Sequence, residues 1–261
     1  MDLGLSGKTA LVLGAGGGLG RAIARALARE GARVAAGDVN AAALDQTLRE
    51  IEAAGSLGLP LTWDLGDLSA IEGVVAAAEK RFGPVDVLVN NTGGPPPTPA
   101  SGQDPAVWAK SFQSMVLSVI AITDRVLPGM RARRWGRIVT STSSGVVAPI
   151  PNLAISNALR LSLVGWSKTL AREVAREGIT VNVVLPGRVG TDRTRSLDEA
   201  RAKREGRPVE QITSESAASI PVGRYGKPEE YADVVAFLAS ERASYITGSM
   251  IRVDGGMIAT I

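Results

Sequence analysis

The strict alternation of short apolar segments with helical segments is the feature that most constrains the fold of this chain. Segments such as KTALVLG, ARVAAGD, VDVLVNN and ITVNVVLPG are short and almost wholly apolar. Between them lie segments such as LGRAIARALAREG, whose apolar residues recur at helical spacing. Buried strands that alternate with helices are typical of a parallel sheet covered on both faces. The sequence therefore predicts an α/β fold: one doubly wound domain over residues 1–261, with a parallel seven-stranded sheet.

Residues 191–219 interrupt this alternation. The stretch is charged, poor in large apolar residues, and begins directly after the segment ITVNVVLPG. A surface insertion has the same composition. However, the carboxyl end of a parallel strand is where such sheets bind ligands, so the position favours a mobile lid over a substrate.

The composition excludes several chemistries. The chain has neither cysteine nor histidine, which removes thiol chemistry, disulfide bonds, the usual zinc ligands and the side chain that most often moves protons near neutral pH. No acidic cluster in the sequence suggests another metal. We therefore predict no metal site.

The charge pattern gives no sign of a nucleic-acid or membrane partner. The net charge is +3 and the densest basic run, RARRWGR at Arg131–Arg137, reads as a solvated helix end because basic residues are otherwise scattered. The N-terminus lacks the apolar core of a signal peptide, and no apolar run reaches membrane-spanning length. We expect a cytoplasmic protein.

The segment LVLGAGGGLGRAIA predicts a phosphate-binding turn. Gly14, Gly18 and Gly20 lie where the first strand meets a helix, whose free N–H groups and dipole attract a phosphate. The next strand ends in Asp38, whose carboxylate can accept hydrogen bonds from a ribose 2′-hydroxyl and would repel a 2′-phosphate. No Lys or Arg directly follows Asp38 or lies between Gly14 and Gly18, so NAD(H) is favoured over NADP(H).

These motifs, in this order, resemble the short-chain dehydrogenase/reductase family, and in particular its 3-oxoacyl-acyl-carrier-protein reductase-like members. The resemblance covers nearly the whole chain, although Leu13 replaces the threonine that opens the family's glycine motif. It implies a Rossmann fold with a bound nicotinamide dinucleotide. The residues that it assigns to the cofactor are Gly14, Gly18, Leu19 and Gly20 in the glycine loop, Asp38, Asp64 and Leu65 near the adenosine, Asn91 and Gly93 after the fourth strand, and Pro186, Gly187, Val189 and Thr191 near the nicotinamide.

The same resemblance implies hydride transfer between nicotinamide and a carbonyl or alcohol carbon, but with an altered catalytic set. Ser143 falls on the family's catalytic serine, whereas Met115, Ser156 and Arg160 fall on its asparagine, tyrosine and lysine. A serine hydroxyl is a far weaker acid than a phenol, and arginine does not release its proton at working pH. The usual proton relay is therefore predicted to be lost.

The remaining groups predict electrostatic catalysis. Ser143 and Ser156 can donate hydrogen bonds to an oxyanion, and water would carry the proton. Arg160 can place fixed positive charge beside the oxyanion, bind the nicotinamide ribose, or hold a substrate carboxylate. Tyr225 follows the predicted lid, and we do not expect it to swing inward as a replacement acid.

Three functions remain open from the sequence. The first is an atypical NAD(H)-dependent oxidoreductase acting on a small carbonyl or alcohol substrate. The alternative is a dinucleotide-binding protein without redox catalysis, acting as a sensor or assembly partner. A lyase or isomerase on the same fold is the third. The resemblance also implies a homotetramer or homodimer formed through the long helices.

Overall fold

The computed structural model describes residues 2–261 and contains one parallel seven-stranded sheet, ordered β3-β2-β1-β4-β5-β6-β7. The predicted doubly wound Rossmann fold is confirmed. The strands are β1 Thr9–Leu13, β2 Arg33–Asp38, β3 Gly58–Thr62, β4 Val87–Asn91, β5 Gly136–Ser141, β6 Ile179–Pro186 and β7 Met250–Val253.

Helices cover both faces of the sheet. They are α1 Gly18–Arg29, α2 Ala41–Ala53, α3 Ile71–Phe82, α4 Pro105–Phe112, α5 Ser118–Arg133, α6 Ala154–Val174, α7 Asp192–Glu205, α8 Val209–Ala218 and α9 Pro228–Leu238. The apolar faces of α1, α2 and α9 form one buried core with the sheet, and those of α3, α5 and α6 form a second core on the opposite face. The central strands are therefore buried on both sides, which explains their continuous apolar sequences.

The sequence of β3 is the least favourable for strand pairing, and β3 lies at an edge of the sheet, where this composition is tolerated. β3 contains Pro60, which cannot donate a hydrogen bond to a neighbouring strand. It pairs only with β2 and forms one edge of the sheet, so the missing donor costs no pairing.

The long helical segment after β4 is not a uniform α-helix. A π-helical turn at Gln113–Leu117 separates α4 from α5 and contains Met115. Such turns insert an extra residue and often lie at functional sites, because they reorient one side chain. Here the turn directs Met115 towards the cavity described below.

The sequence predicts that no apolar segment reaches membrane-spanning length. On the criteria of length and composition, this prediction is wrong. Within residues 2–261, one helical stretch, Pro105–Arg133, qualifies on those two criteria. It packs as a core helix, because Ile122, Val126 and Met130 are buried against the sheet. On its outer side Arg125 forms ion pairs with glutamates of α3.

The charged stretch 191–219 is folded. It consists of α7 and α8, which follow β6 and lie at the carboxyl edge of the sheet. α7 is fixed to the body by a buried acid: Asp198 is 1% exposed and contacts Arg188 Nη1 at 2.5 Å. The Tyr225 hydroxyl donates to the other oxygen of Asp198 at 2.7 Å. The Tyr225 hydroxyl is thus held by the α7 carboxylate.

Candidate active site

A cavity of about 1070 Å³ crosses the carboxyl ends of the strands. Its lining includes residues that follow β1 and β4, the two strands between which the order of the sheet reverses. Open parallel sheets bind ligands at this point because the loops of the two halves diverge there and leave a crevice. Among residues 2–261, no three or more acidic side chains are grouped to hold a metal ion.

The glycine loop has the geometry that a dinucleotide requires. Gly14 and Gly18 have φ angles of +60° and +50°, a conformation that favours glycine. A side-chain carbon on Gly20 would lie 1.9 Å from the carbonyl oxygen of Gly14, so only glycine fits where α1 meets β1. The Asn91 amide donates to the carbonyl oxygen of Gly14 at 3.3 Å and braces the turn. The N-terminus of α1 therefore faces the cavity as an anion site.

The predicted cofactor and catalytic residues meet at this cavity, with one exception. Gly20 lies beneath the glycine loop. It contributes to the site by allowing α1 to approach β1 closely. The predicted residues that line the cavity are Gly14, Gly18, Leu19, Asp38, Asp64, Leu65, Asn91, Gly93, Met115, Ser143, Ser156, Arg160, Pro186, Gly187, Val189 and Thr191.

Asp38 has a more constrained role than the sequence suggested. Its two carboxylate oxygens accept hydrogen bonds from the backbone N–H groups of Gly16, at 2.9 Å, and Asn40, at 3.0 Å. Arg21, in the first turn of α1, donates to the carbonyl oxygen of Gly16. The Arg21 guanidinium and the Asp38 carboxylate therefore both bind the backbone of Gly16. The charge at this position is the sum of a positive and a negative group, and not that of Asp38 alone.

Arg160 is the most constrained cation of the site. It is 7% exposed, and its Nη2 donates to the carbonyl oxygens of Thr92, at 3.1 Å, and Gly93, at 3.0 Å. Its Nη1 donates to the carbonyl oxygen of Ser141 at 3.2 Å. These carbonyls lie at the ends of β4 and β5, so the guanidinium joins the two strands where they reach the cavity.

Burial also changes the acidity of Arg160. Desolvation lowers the pKa of Arg160 to about 10, the nearby Tyr231 acts in the opposite direction, and the positive charge of Arg193 lowers it further. Within the described part of the chain, no carboxylate forms an ion pair with Arg160 that would offset its burial. Below pH 10 the site therefore holds a cation that would gain from a nearby negative charge.

The other residues of the predicted catalytic set surround this cation. Ser143 follows β5 and its hydroxyl oxygen accepts a hydrogen bond from Gly145 N–H at 3.0 Å, which leaves the hydroxyl proton for another acceptor. Ser156 lies one helical turn before Arg160 on α6, is 7% exposed, and borders the cavity. Met115 reaches the cavity from the π-helical turn. The arrangement offers hydroxyl donors and a fixed positive charge, without an acid that titrates near neutral pH.

Two contacts at this site were missed by the sequence analysis. Tyr231 of α9 is fully buried and donates to the Ser141 hydroxyl at 2.8 Å, behind the strand that carries Ser143. Arg193 of α7 reaches across to the carbonyl oxygen of Pro95 at 2.7 Å. Neither contact has a local sequence signal, because the partners are about ninety or more positions apart.

Comparison with known proteins identifies the family. A family model described as enoyl-(acyl carrier protein) reductase matches residues 14–258. The 3-oxoacyl-[acyl-carrier-protein] reductase FabG of Escherichia coli is 40% identical over 261 residues, covering 98% of this chain and 99% of the relative. This chain belongs to the short-chain dehydrogenase/reductase family. It is an NAD(P)-dependent oxidoreductase of that family.

Solved structures of short-chain reductases match the fold along its whole length. L-Sorbose reductase from Gluconobacter frateurii, complexed with NADPH and L-sorbose, superposes with a TM-score of 0.94 at 33% identity, over 100% of both chains. YwfH, an NADPH-dependent reductase involved in bacilysin biosynthesis, superposes with a TM-score of 0.92 at 30% identity, over 97% of this chain and 99% of the other.

The prediction that NAD(H) is favoured over NADP(H) is wrong. Both of these short-chain reductases are NADPH proteins, and so is the actinorhodin ketoreductase, another structural neighbour. In the sequence alone, Asp38 is a free carboxylate without a neighbouring cation. In the structure two backbone N–H groups occupy that carboxylate, and Arg21 contributes a positive charge at Gly16. Asp38, the acidic residue at the end of β2, therefore does not by itself determine whether NAD(H) or NADP(H) is preferred.

Proposed function

We propose that this protein is an NADPH-dependent reductase that reduces the carbonyl group of a small molecule at the cavity where Ser143, Ser156 and Arg160 converge. The observation that carries the proposal is the position of the Arg160 guanidinium. It is buried, lacks an acidic partner, and is held by backbone carbonyls beside Ser143. Such a preorganised cation stabilises charge that develops on an oxygen during a reaction.

The cofactor end of the cavity supports a bound dinucleotide. The turn around Gly14 and Gly18 and the N-terminus of α1 would hold the pyrophosphate, and Asp64 and Leu65 would border the adenine. The nicotinamide group, when bound, supplies a hydride. Thr191 and Val189, which follow β6 and border the cavity, would hold the nicotinamide in place.

The chain's own residues would act on the substrate oxygen. Ser143 and Ser156 would donate hydrogen bonds to the oxygen as it gains negative charge, and Arg160 would stabilise that charge through the field of its fixed guanidinium. In this proposal Met115, Ser156 and Arg160 replace the family's asparagine, tyrosine and lysine. Water in the cavity would then supply the proton, because these groups include no acid that titrates near neutral pH.

We also propose that residues 191–219 form the substrate lid. α7 and α8 lie over the carboxyl edge of the sheet, and Leu197 of α7 contributes to the cavity wall. The contacts of Asp198 with Arg188 and Tyr225 would set how far the lid opens. Closing such a lid removes water from the cavity and strengthens its electrostatic interactions.

A second candidate reaction is reduction of a carbon–carbon double bond conjugated to a carbonyl group. The description of the matching family model, an enoyl reductase, favours it. Hydride addition to the β-carbon would place the negative charge on an enolate oxygen, which Ser143 and Arg160 could stabilise. Water would then protonate the α-carbon, so this reaction needs no acid beside the oxygen.

Two further features remain proposals. A homotetramer or homodimer is supported by apolar side chains that α4–α5 and α6 expose, among them Phe112 and Leu161. A cytoplasmic location fits a chain without cysteine. The alternative of a dinucleotide sensor without redox catalysis gains no support, since the relatives compared above are reductases by name.

The proposed function is tested by NADPH oxidation, followed by absorbance of the nicotinamide, with matched pairs of substrates. Each pair is a saturated ketone and its α,β-unsaturated counterpart. Turnover of the ketone supports carbonyl reduction, and turnover of the unsaturated member at its double bond alone supports the second candidate. Ser143→Ala should lower kcat at least tenfold for the active member. Tight NADPH binding without turnover of any pair would contradict both reactions, and an unchanged rate in Ser143→Ala would contradict the assigned site.

A further inference from the structure

Arg193 connects the two sides of the crevice. It lies in the first turn of α7, after β6, and donates to the carbonyl oxygen of Pro95, on the loop after β4, at 2.7 Å. A side-chain carbon on Gly94 would lie 3.1 Å from Nη2 of Arg193, so glycine leaves the space in which the guanidinium rests. The three prolines from Pro95 stiffen that loop.

Among residues 2–261, no acidic side chain forms an ion pair with Arg193. Although the residue as a whole is exposed, burial of its guanidinium lowers the pKa of Arg193, and no acidic side chain opposes this effect. Arg193 also lowers the pKa of Arg160, which likewise lacks an acidic partner. Two cations without an ion-pair partner among the described residues therefore border one cavity, and an anion bound there would reduce their mutual repulsion.

The neighbours of Arg193 indicate which anion would bind beside it. Thr191 precedes it by two residues and lies against the N-terminus of α1, since a side-chain carbon on Gly18 would be 3.4 Å from Cβ of Thr191. Helix N-termini after a glycine turn bind the pyrophosphate of a dinucleotide. Gly94 lies on the other side of the same crevice, after β4. The guanidinium thus reaches from α7 to the loop after β4, and Arg193 lies two residues after Thr191, which faces the N-terminus of α1.

We propose that Arg193 binds the pyrophosphate of the dinucleotide and, with its contact to Pro95, closes the crevice over the bound cofactor. One donor of the guanidinium is used by Pro95, and four remain for phosphate oxygens. This role rests on the proposed dinucleotide-dependent function. It gives α7, which we propose as part of the substrate lid, a direct contact with the cofactor.

The test is direct binding, without turnover. Dissociation constants are measured by titration calorimetry for NADPH, NADH and ADP-ribose with wild-type protein, Arg193→Gln and Arg193→Lys. Arg195→Gln is the matched control, because Arg195 is exposed on the same helix and the change in charge is identical. We expect Arg193→Gln to weaken all three ligands about tenfold, the magnitude of a lost charge-assisted hydrogen bond. Arg193→Lys should lose less, and Arg195→Gln should change binding less than about twofold.

The pattern of losses separates the outcomes. A loss for NADPH without one for NADH would assign Arg193 to the 2′-phosphate and overturn the inference. Unchanged binding of all three ligands, with an increased KM for an acidic substrate, would assign it to the substrate and also overturn the inference. If Arg193→Gln equals Arg195→Gln while the wild-type protein binds NADPH, only this inference fails. If the wild-type protein binds neither dinucleotide, the proposed function fails with it.

Discussion

The Tyr231 hydroxyl donates a 2.8 Å hydrogen bond to the hydroxyl of Ser141, on the buried side of the strand that leads to Ser143. The protein therefore has a phenol close to its candidate active site, but behind the strand and fully buried. Desolvation raises the pKa of Tyr231 far above its usual value, although the Ser141 hydrogen bond and the charge of Arg160 act against this. Tyr231 is consequently protonated at any working pH and supports the strand without supplying a proton.

Replacing Tyr231 tests that structural role. Tyr231→Phe keeps the ring in the core but removes the donor to Ser141 and the weaker 3.3 Å contact with the Val184 carbonyl oxygen. We expect the free energy of unfolding to fall by about 1–2 kcal/mol in urea titrations. Tyr245→Phe is the control, because Tyr245 is fully exposed. Equal stability of the two variants would contradict the role assigned to Tyr231.

Introducing the tyrosine and lysine that the family resemblance assigns to positions 156 and 160 tests the proposed replacement of the catalytic pair. Ser156→Tyr combined with Arg160→Lys places a phenol and an ammonium one helical turn apart at the cavity. We expect faster NADPH-dependent reduction of simple ketones, by about tenfold or more, because a phenol can donate its proton directly. Ser156→Phe with Arg160→Lys provides the same bulk without the hydroxyl. A gain that the phenylalanine variant shares would point to packing and not to proton transfer.

The buried carboxylate of α7 provides a test of the lid. Asp198→Asn removes the negative charge between Arg188 and Tyr225 and should weaken the attachment of α7. Loss of this contact should cost roughly 1–3 kcal/mol locally, so amide hydrogen exchange in residues 192–205 should accelerate at least tenfold. Glu210→Gln, an exposed acid on α8, changes the charge equally without touching the contact. The same exchange rates in both variants would show that Asp198 does not hold the lid.

The apolar surface of the long helices predicts an oligomer. Leu161 on α6 is 52% exposed, and Phe112 and Leu117 are 39% and 37% exposed on the neighbouring helical segment. Leu161→Glu should therefore shift the assembly to a smaller species in light scattering coupled to size-exclusion chromatography, because a charge would be buried in the interface. Leu57→Glu changes an equally exposed leucine after α2 and should leave the assembly intact. A monomeric wild-type protein would contradict the prediction.

The fold was predictable because its signals are local and repeated. Strand and helix periods alternate along the chain, and the glycine turn of Gly14 to Gly20 determines where the crevice begins. Pro60 is likewise a local signal, because a proline favours an edge strand and β3 lies at the edge of the sheet. The site residues chosen from motifs also lie together at one cavity, since strand ends in a parallel sheet meet at one edge.

The charges of the site were less predictable. The NAD(H) preference rested on Asp38 and on the lack of basic residues beside it in the sequence, whereas the structure adds two backbone donors and Arg21. Arg160 binds backbone carbonyls instead of a carboxylate, and Arg193 contacts Pro95. Both arrangements depend on distant parts of the chain. A sequence identifies ionisable groups, but their burial and their partners are determined by the fold.

The pH dependence of kcat/KM tests the central claim most directly, namely that the site works through a fixed cation without a side-chain acid. Arg160 is protonated below its pKa of about 10, so its positive charge is present throughout the neutral range and is lost only above it. We expect kcat/KM for the substrate that supports NADPH oxidation to stay constant from about pH 6 to about pH 9 and to fall only in more alkaline solution. A titration with a midpoint inside that interval, absent when the substrate alone is titrated, would reveal a side-chain acid in the free enzyme and would contradict the claim.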